Sequence, residues 1–307
     1  MRGYVGVTDY DWYRFLRAQS DVREVNFWQP SGGRTFRAIT PPEPFFFKLK
    51  APYNAIAGFG LFVGHHVLPD WKAWEEFGVA NGAPDHATMR RRIEQYLPAA
   101  RRGHKSSYPI GCLMVTEPVF FARDDWVPQP RDWPPHTVQG KTYDLSAGEG
   151  ARIWRECLDR AAVTSPEFVS EGGAPRFGPG RFVQPRLGQG SFRVSVAHAY
   201  AHACAVTTEH SMPVLEAAHI KRYADGGAHA VSYGILLRSD VHRLFDSGSV
   251  TVTPDYRFEV SRRLRDEWNN GHSYYGWHGR AILLPRSEAE CPDRSLLAWH
   301  NEHKFRD

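Results

Sequence analysis

Apolar positions in the first 126 residues fall into short runs separated by Gly and Pro: Val25 to Trp28, Pro44 to Leu49, Ile56 to Val63 and Ile110 to Thr116. Runs of that length between turn-forming residues predict strands. Helical spacing replaces them in Asp11 to Gln19 (DWYRFLRAQ), behind Thr8 and Asp9 as candidate caps, and again in Trp71 to Phe77 and His86 to Tyr96. Short strands with helical excursions predict a compact, barrel-like domain around a small pocket. The proline-dense stretch VPQPRDWPPHTVQG, 127–140, then reads as a stiff connector. Gly148 to Arg160 predicts a connecting helix and Ser165 to Gly180 an exposed Gly/Pro-rich loop. The expected division is a first domain over 1–130, a linker with its helix over 131–180, and a second domain over 181–307. No internal repeat is present.

Within the second domain, Val214 to Gly248 (VLEAAHIKRYADGGAHAVSYGILLRSDVHRLFDSG) has the most informative pattern. Val214 to Ile220 predicts a short strand ending in a histidine. Asp225, Gly226 and Gly227 predict a turn, Tyr233 to Leu237 a second strand, and Arg238 to Asp246 a helix. That order brings His219, at a strand end, near His242 on the helix. A divalent cation beside a free imidazole is the equipment of phosphodiester hydrolysis, the imidazole taking a proton from the attacking water.

Composition narrows the class. The 307 residues are 42% hydrophobic and 23% charged, which is ordinary for a globular chain and excludes general disorder. A formal net charge of +4 permits a nucleic-acid partner without requiring one. Ten Trp among 13% aromatics offer faces for bases as well as for cores. Cys112, Cys157, Cys204 and Cys291 form no C-x-x-C pair, which argues against a Cys-rich zinc site or a disulfide framework and for reduced core thiols. With no apolar leader after Met1 and no run of ~18 apolar residues, a soluble, cytoplasmic protein is expected.

The ordered segment resembles the HNH (ββα-metal) restriction endonuclease family. There, a strand-end His, a middle Asn fourteen residues on and a helix His nine further on make the site. The matching positions here are His219, Tyr233 and His242. The resemblance implies His219 as general base, His242 as metal ligand, and Mg²⁺ or Mn²⁺, with Ni²⁺ or Zn²⁺ also compatible. Two departures stand out: Tyr233 replaces the middle Asn, and Ala218 occupies the position before the base that is often an acidic ligand. Glu216, two residues back on the same strand face, and Asp240, near His242, are the two candidates for that carboxylate. Arg186 to Arg193 (RLGQGSFR), Cys204 to Thr207 and Leu297 to Asn301 extend the likeness to bacterial predicted restriction endonucleases, with Cys204 as a core thiol.

The first domain (GYVGVTDYDWYRFL, VNFWQP, PFFFKLK) is similar to PUA-like modified-base readers of EVE and SRA type. The whole is therefore expected to be α+β: a PUA-like, β-barrel-type domain with helices, followed by a ββα-metal nuclease domain. For an extruded base, Trp28, Phe46 and Trp12 are candidate stacking faces, and Asn26, Gln29 and Asp9 candidate edge contacts; core packing is the competing role for each aromatic. Arg90, Arg91, Arg92, Arg101, Arg102 and Lys105 form the densest basic stretch, either a phosphate track or a solvated helix face. His65 and His66 read as incidental. The implied function is modification-dependent cleavage of double-stranded DNA by a homodimer. The alternatives are a restriction or repair nuclease acting on unmodified DNA, and a DNA-binding protein whose HNH site has degenerated at Tyr233.

Overall fold

The computed structural model describes residues 1–33, 35–98, 102–103, 105–164, 187–221, 230–268 and 271–307. The chain divides into two units, Met1–Ser191 and Phe192–Asp307. Both mix helices with short sheets, so the fold is α+β.

The first unit runs β1 (Arg2–Thr8), α1 (Tyr10–Arg17), β2 (Glu24–Gln29), β3 (Pro44–Leu49), β4 (Ala55–Pro69), α2 (Asp70–Phe77), α3 (His86–Gln95), β5 (Pro109–Phe120), β6 (Val127–Pro128), β7 (Gly140–Asp144) and α4 (Gly148–Thr164). Among the described residues its strands form one sheet in the order β2-β5-β4-β3-β1-β7, with β6 also on β4. Only β1 and β3 run parallel, Tyr4 facing Phe45 and Thr8 facing Leu49. Strand β3 explains the layering. Its side chains alternate between faces, yet every one of PFFFKL is buried, because both faces are covered. Phe46 joins Phe59, Ile153, Trp154, Cys157 and Ala161 on the side of α4. Phe45 and Phe47 join Trp12, Leu16 and Phe27 on the side of α1. Each fully buried Phe contributes about 1.5–3 kcal/mol of transfer free energy.

The expected linker differs from what is observed. Residues 127–164 belong to the first unit: β6 pairs with β4, and β7 pairs antiparallel with β1, Arg2 facing Asp144. Ile153, Trp154, Cys157 and Ala161 give α4 an apolar stripe that completes the core. Proline density there marks bends between paired pieces rather than a free spacer. The loop expected at 165–180 lies outside the described residues.

The second unit opens inside α5 (Gln189–Ala199) and continues β8 (Leu215–His219), β9 (Gly234–Arg238), α6 (Ser239–Ser247), β10 (Val250–Val252), β11 (Phe258–Val260), α7 (Arg263–Trp268), α8 (His272–Tyr275) and α9 (Arg294–His303). Strands β8 and β9 form one antiparallel ladder, and β10 and β11 another. Helix α6 follows β9 directly, so β8-β9-α6 is a ββα unit. Val241 and Phe245 bury one face of α6, and Gly248 ends it at φ 74°. A Cβ at Gly248 would collide with the Lys304 carbonyl, so glycine is required on both counts. His300 of α9 stacks on Phe245 at 3.8 Å, with Nδ1 on the Thr251 hydroxyl at 2.8 Å and Nε2 on the Phe245 carbonyl at 3.2 Å. Burial pushes its pKa down to about 4, making it a neutral core histidine. Among the described residues no helix is long and apolar enough to cross a membrane.

Candidate active site

The β8–β9 ladder sets the register of the site. Glu216 faces Leu237, Ala218 faces Ile235 and His219 faces Gly234. The Ile220 amide donates to the Tyr233 carbonyl at 2.9 Å, and the Tyr233 amide to the Ala230 carbonyl at 3.0 Å. Tyr233 therefore pins the strand ends through its backbone, which any side chain at that position leaves intact. The turn expected at Asp225, Gly226 and Gly227 lies outside the described residues. His219 is half-buried, its imidazole stacked on the Phe192 ring of α5 at 4.0 Å and 16°. Glycine opposite His219 makes room for that ring: a Cβ on Gly234 would stand 2.6 Å from Phe192 Cζ.

Helix α6 presents His242 to β8, and its Nδ1 lies 2.6 Å from Glu216 Oε2. Asp246, one turn along, brings Oδ1 to 3.8 Å from His242 Nε2. Asp240 is engaged elsewhere. Arg238 grips it through two hydrogen bonds of 2.7 Å, and the Tyr274 hydroxyl adds a third at 3.1 Å. The Arg238 guanidinium holds the Asp240 carboxyl below the usual range, against the effect of burial. That guanidinium also lies 5.5 Å from the centre of the Trp277 ring. Of the two candidate carboxylates, Glu216 faces the helix histidine and Asp240 is spent on an ion pair.

Among the described residues no group of three or more His, Cys, Asp or Glu side chains is arranged to enclose an ion. Glu216 and His242 nevertheless suit a divalent cation that keeps much of its water. Their nearest atoms meet at 2.6 Å, so both side chains could turn toward one ion. A carboxylate with an imidazole fits Mn²⁺, Ni²⁺ or Zn²⁺ as well as Mg²⁺.

In the first unit, a cavity of about 420 Å³ is lined by Asp9, Trp12, Trp28 and Gln29 of the expected base contacts, with Lys50 and Tyr96 added. Phe46 and Asn26 are not among its lining residues. Phe46 is fully buried and packs edge-on to Trp154 at 6.0 Å, because the α4 side of the sheet is covered. Asn26 is fully buried too, and it acts one step back from the cavity. Its amide donates to Asn81 Oδ1 at 2.9 Å; Asn81 in turn holds the Ala73 and Gly78 carbonyls and accepts from Trp28 Nε1 on its own carbonyl at 3.0 Å. This relay fixes the plane of Trp28. Asp9 stands at the N-cap of α1 but makes no side-chain cap bond. Its oxygens go to Lys50 Nζ at 2.7 Å and to the Tyr96 hydroxyl at 2.6 Å.

The basic stretch splits. Arg90 is an internal strut, paired with Asp70 and Glu94 and donating to the Ser106 and Lys105 carbonyls. Arg92 donates to the Gly82 carbonyl at 2.6 Å and lines the cavity. Arg102 donates to the Leu97 and Gln95 carbonyls at the end of α3. Arg91, held only lightly by Thr88, and Lys105 are exposed. Arg101 lies outside the described residues.

Sequence reasoning did not single out Phe192, Arg238, Lys50 or Tyr96. Phe192 sits inside the quoted RLGQGSFR stretch, but nothing in its spacing marks it as the face under His219. Lys50 and Tyr96 reach Asp9 across 41 and 87 residues, which no local pattern encodes.

Residues 204–253 match the family model described as HNH endonuclease. No curated protein matches the chain. Among solved structures, the ASCH protein of Zymomonas mobilis is similar at 8% identity and TM-score 0.32, over 50% of this chain and 94% of that one. The modification-dependent TagI restriction endonuclease is similar at 12% identity and TM-score 0.28, over 98% of this chain and 81% of that one. At such TM-scores neither likeness bears on function. The chain carries an HNH endonuclease domain, and a nuclease is the class this domain defines.

Proposed function

We propose that the protein is a modification-dependent DNA endonuclease. The observation that carries this reading is the ββα unit itself: within the matched HNH segment, His219 is stacked at the end of β8 while Glu216 and His242 meet between β8 and α6. In the reaction, His219 would take a proton from a water whose oxygen bonds to the scissile phosphorus, and the bond to the leaving sugar oxygen breaks as that oxygen takes a proton from solvent. Phe192 holds the imidazole plane while this happens. Glu216 and His242 would hold the divalent cation; Asp240, tied to Arg238, instead fixes the start of α6. When bound, the ion supplies charge neutralisation at the phosphate and the leaving oxygen. Double-stranded DNA is the substrate, and cutting both strands with one site per chain requires two copies, so a homodimer is part of the proposal.

The first unit would choose the target. Extrusion of a nucleotide needs a pocket with an aromatic face and polar groups for the base edge. The cavity beside Trp28 offers both, with Gln29 and Asp9 on its wall. A PUA-like reader role for this unit, over about 1–164 rather than 1–130, accords with the completed sheet.

Tyr233 favours a second reading, a DNA-binding protein whose cleavage is lost. One experiment separates the readings: digestion of a single plasmid, prepared unmodified and with different base modifications, in Mg²⁺, Mn²⁺ and EDTA. Metal-dependent cutting confined to a modified form is the expected result. Cutting of all forms alike supports a nuclease for unmodified DNA, and binding without cutting under every metal supports the degenerate site.

A further inference from the structure

Three side chains at the cavity form a closed ring of hydrogen bonds. Lys50 Nζ donates to Asp9 Oδ1 and to the Tyr96 hydroxyl, both at 2.7 Å. The Tyr96 hydroxyl donates to Asp9 Oδ2 at 2.6 Å. Each member keeps capacity to spare. An ammonium has three donors and a carboxylate about four acceptor positions, and the ring satisfies two of each. Lys50 and Asp9 are 39% and 48% exposed at the side chain, so what remains is open to a ligand. Burial would lower the Lys50 pKa, but the hydrogen bonds and charge of Asp9 and Tyr96 raise it instead. Lys50 therefore keeps its charge at neutral pH. Trp28 stands beside it, edge-on to Tyr96 at 6.4 Å, its plane fixed through Asn81.

We propose that the Asp9–Lys50–Tyr96 ring makes this cavity selective for an extruded pyrimidine carrying a hydroxyl-bearing substituent, a hydroxymethyl group or a sugar, over one carrying a methyl. The inference rests on the modified-base reading above and names the class of modification. Two physical arguments support it. A cavity of about 420 Å³ falls within the ~300–1,000 Å³ of sites that enclose drug-sized ligands, well beyond what a bare pyrimidine fills. Room is left for a substituent beyond the ring. The chemistry of the boundary then selects among substituents. A methyl set against Lys50 and Asp9 would strip water from two charges and return no hydrogen bond. A hydroxyl accepts from the ammonium and donates to the carboxylate, replacing both lost waters, and hydrogen bonds to charged groups are among the stronger ones. Sugar hydroxyls extend the same contacts while the C–H face of the ring lies on Trp28.

The test uses the full chain in EDTA, so that binding is read without cleavage. Duplexes of one sequence carry cytosine, 5-methylcytosine, 5-hydroxymethylcytosine, its glucosylated form or 5-hydroxymethyluracil at one position, and affinity is measured at one salt concentration. Hydroxyl-bearing duplexes should bind at least about tenfold more tightly than the methylated one, one strong hydrogen bond's worth. Lys50→Met and Asp9→Asn should erase that preference, read within each variant as the ratio of its affinities for the hydroxyl-bearing and the methylated duplex, and Tyr96→Phe, which deletes a single oxygen, should reduce it. A methyl preference equal to or above the hydroxyl preference overturns the inference and leaves the modified-base reading standing, as does a hydroxyl preference that survives both Lys50→Met and Tyr96→Phe. Equal affinity for all five duplexes overturns both.

Discussion

Gly234→Ala isolates the contact that holds His219, the proposed general base. The backbone at Gly234 is extended (φ −126°, ψ 154°) and accepts any residue, so the substitution acts only through its new Cβ. That atom would stand 2.6 Å from Phe192 Cζ and 2.8 Å from Val196 Cγ2. Carbon atoms settle at about 3.5–4.0 Å, so the Phe192 ring must retreat by about 1 Å. Phe192 is the face against which His219 lies at 4.0 Å, and a base misplaced by ~1 Å costs about a hundredfold in rate. Overpacking should cost about 1–3 kcal/mol of stability, offset by up to about 1 kcal/mol from the stiffer unfolded chain. The assay is plasmid cleavage under single-turnover conditions, run beside thermal melting and DNA binding. Expected are a ten- to hundredfold slower cut, a slightly lower melting temperature and unchanged affinity. Adding Phe192→Leu to Gly234→Ala should relieve the crowding and restore stability without restoring the rate. A folded Gly234→Ala protein that cuts at the wild-type rate would show that the Phe192 stack does not position His219.

Two further outcomes follow from the same geometry. Tyr233 pins Ile220 through its backbone carbonyl alone, so Tyr233→Asn keeps that bond, replaces a long rigid ring by a compact amide, and should raise the cleavage rate at least about tenfold, ~1.4 kcal/mol in the barrier; a lower rate in an active enzyme would make the tyrosine an adapted part of the site. His300 titrates near 6.5 when unfolded and at about 4 when folded, so its neutral form stabilises the fold fully above pH 6.5, and that contribution, on the order of 3 kcal/mol, is lost as pH falls toward 4. Urea unfolding at pH 7 and pH 4.5 should show a smaller difference in His300→Gln than in the wild type, and an equal difference would contradict the linkage.

The parts of this chain legible from sequence are those with local causes. Each strand and helix of the ββα unit is set by runs of five to nine residues, and the fixed spacing of His219, Tyr233 and His242 carries its register. Strand β3 was equally visible, but PFFFKL cannot reveal that both of its faces are covered, and so Phe46 reads as a candidate stacking face until α4 is seen to cover it. Asn26 fails for a related reason: a buried amide and a base-reading amide look alike until Asn81 arrives from 55 residues away. The linker reading of 131–180 overlooked that β1 needs a partner, which β7 supplies from the far end of the unit. Glu216 and Asp240 likewise differ only through the Arg238 contact that engages Asp240, since strand alternation alone leaves both open.

The central claim, that this HNH unit cuts DNA with His219 as its base, is tested most directly by His219→Ala. Cleavage of a modified plasmid in Mg²⁺ or Mn²⁺ and affinity for the same DNA in EDTA are measured on wild type and variant. Because the role proposed for His219 is to move a proton in the reaction and not to hold the duplex, the account predicts that cutting is abolished while affinity stays within about twofold. Full cleavage by His219→Ala in either metal would contradict it.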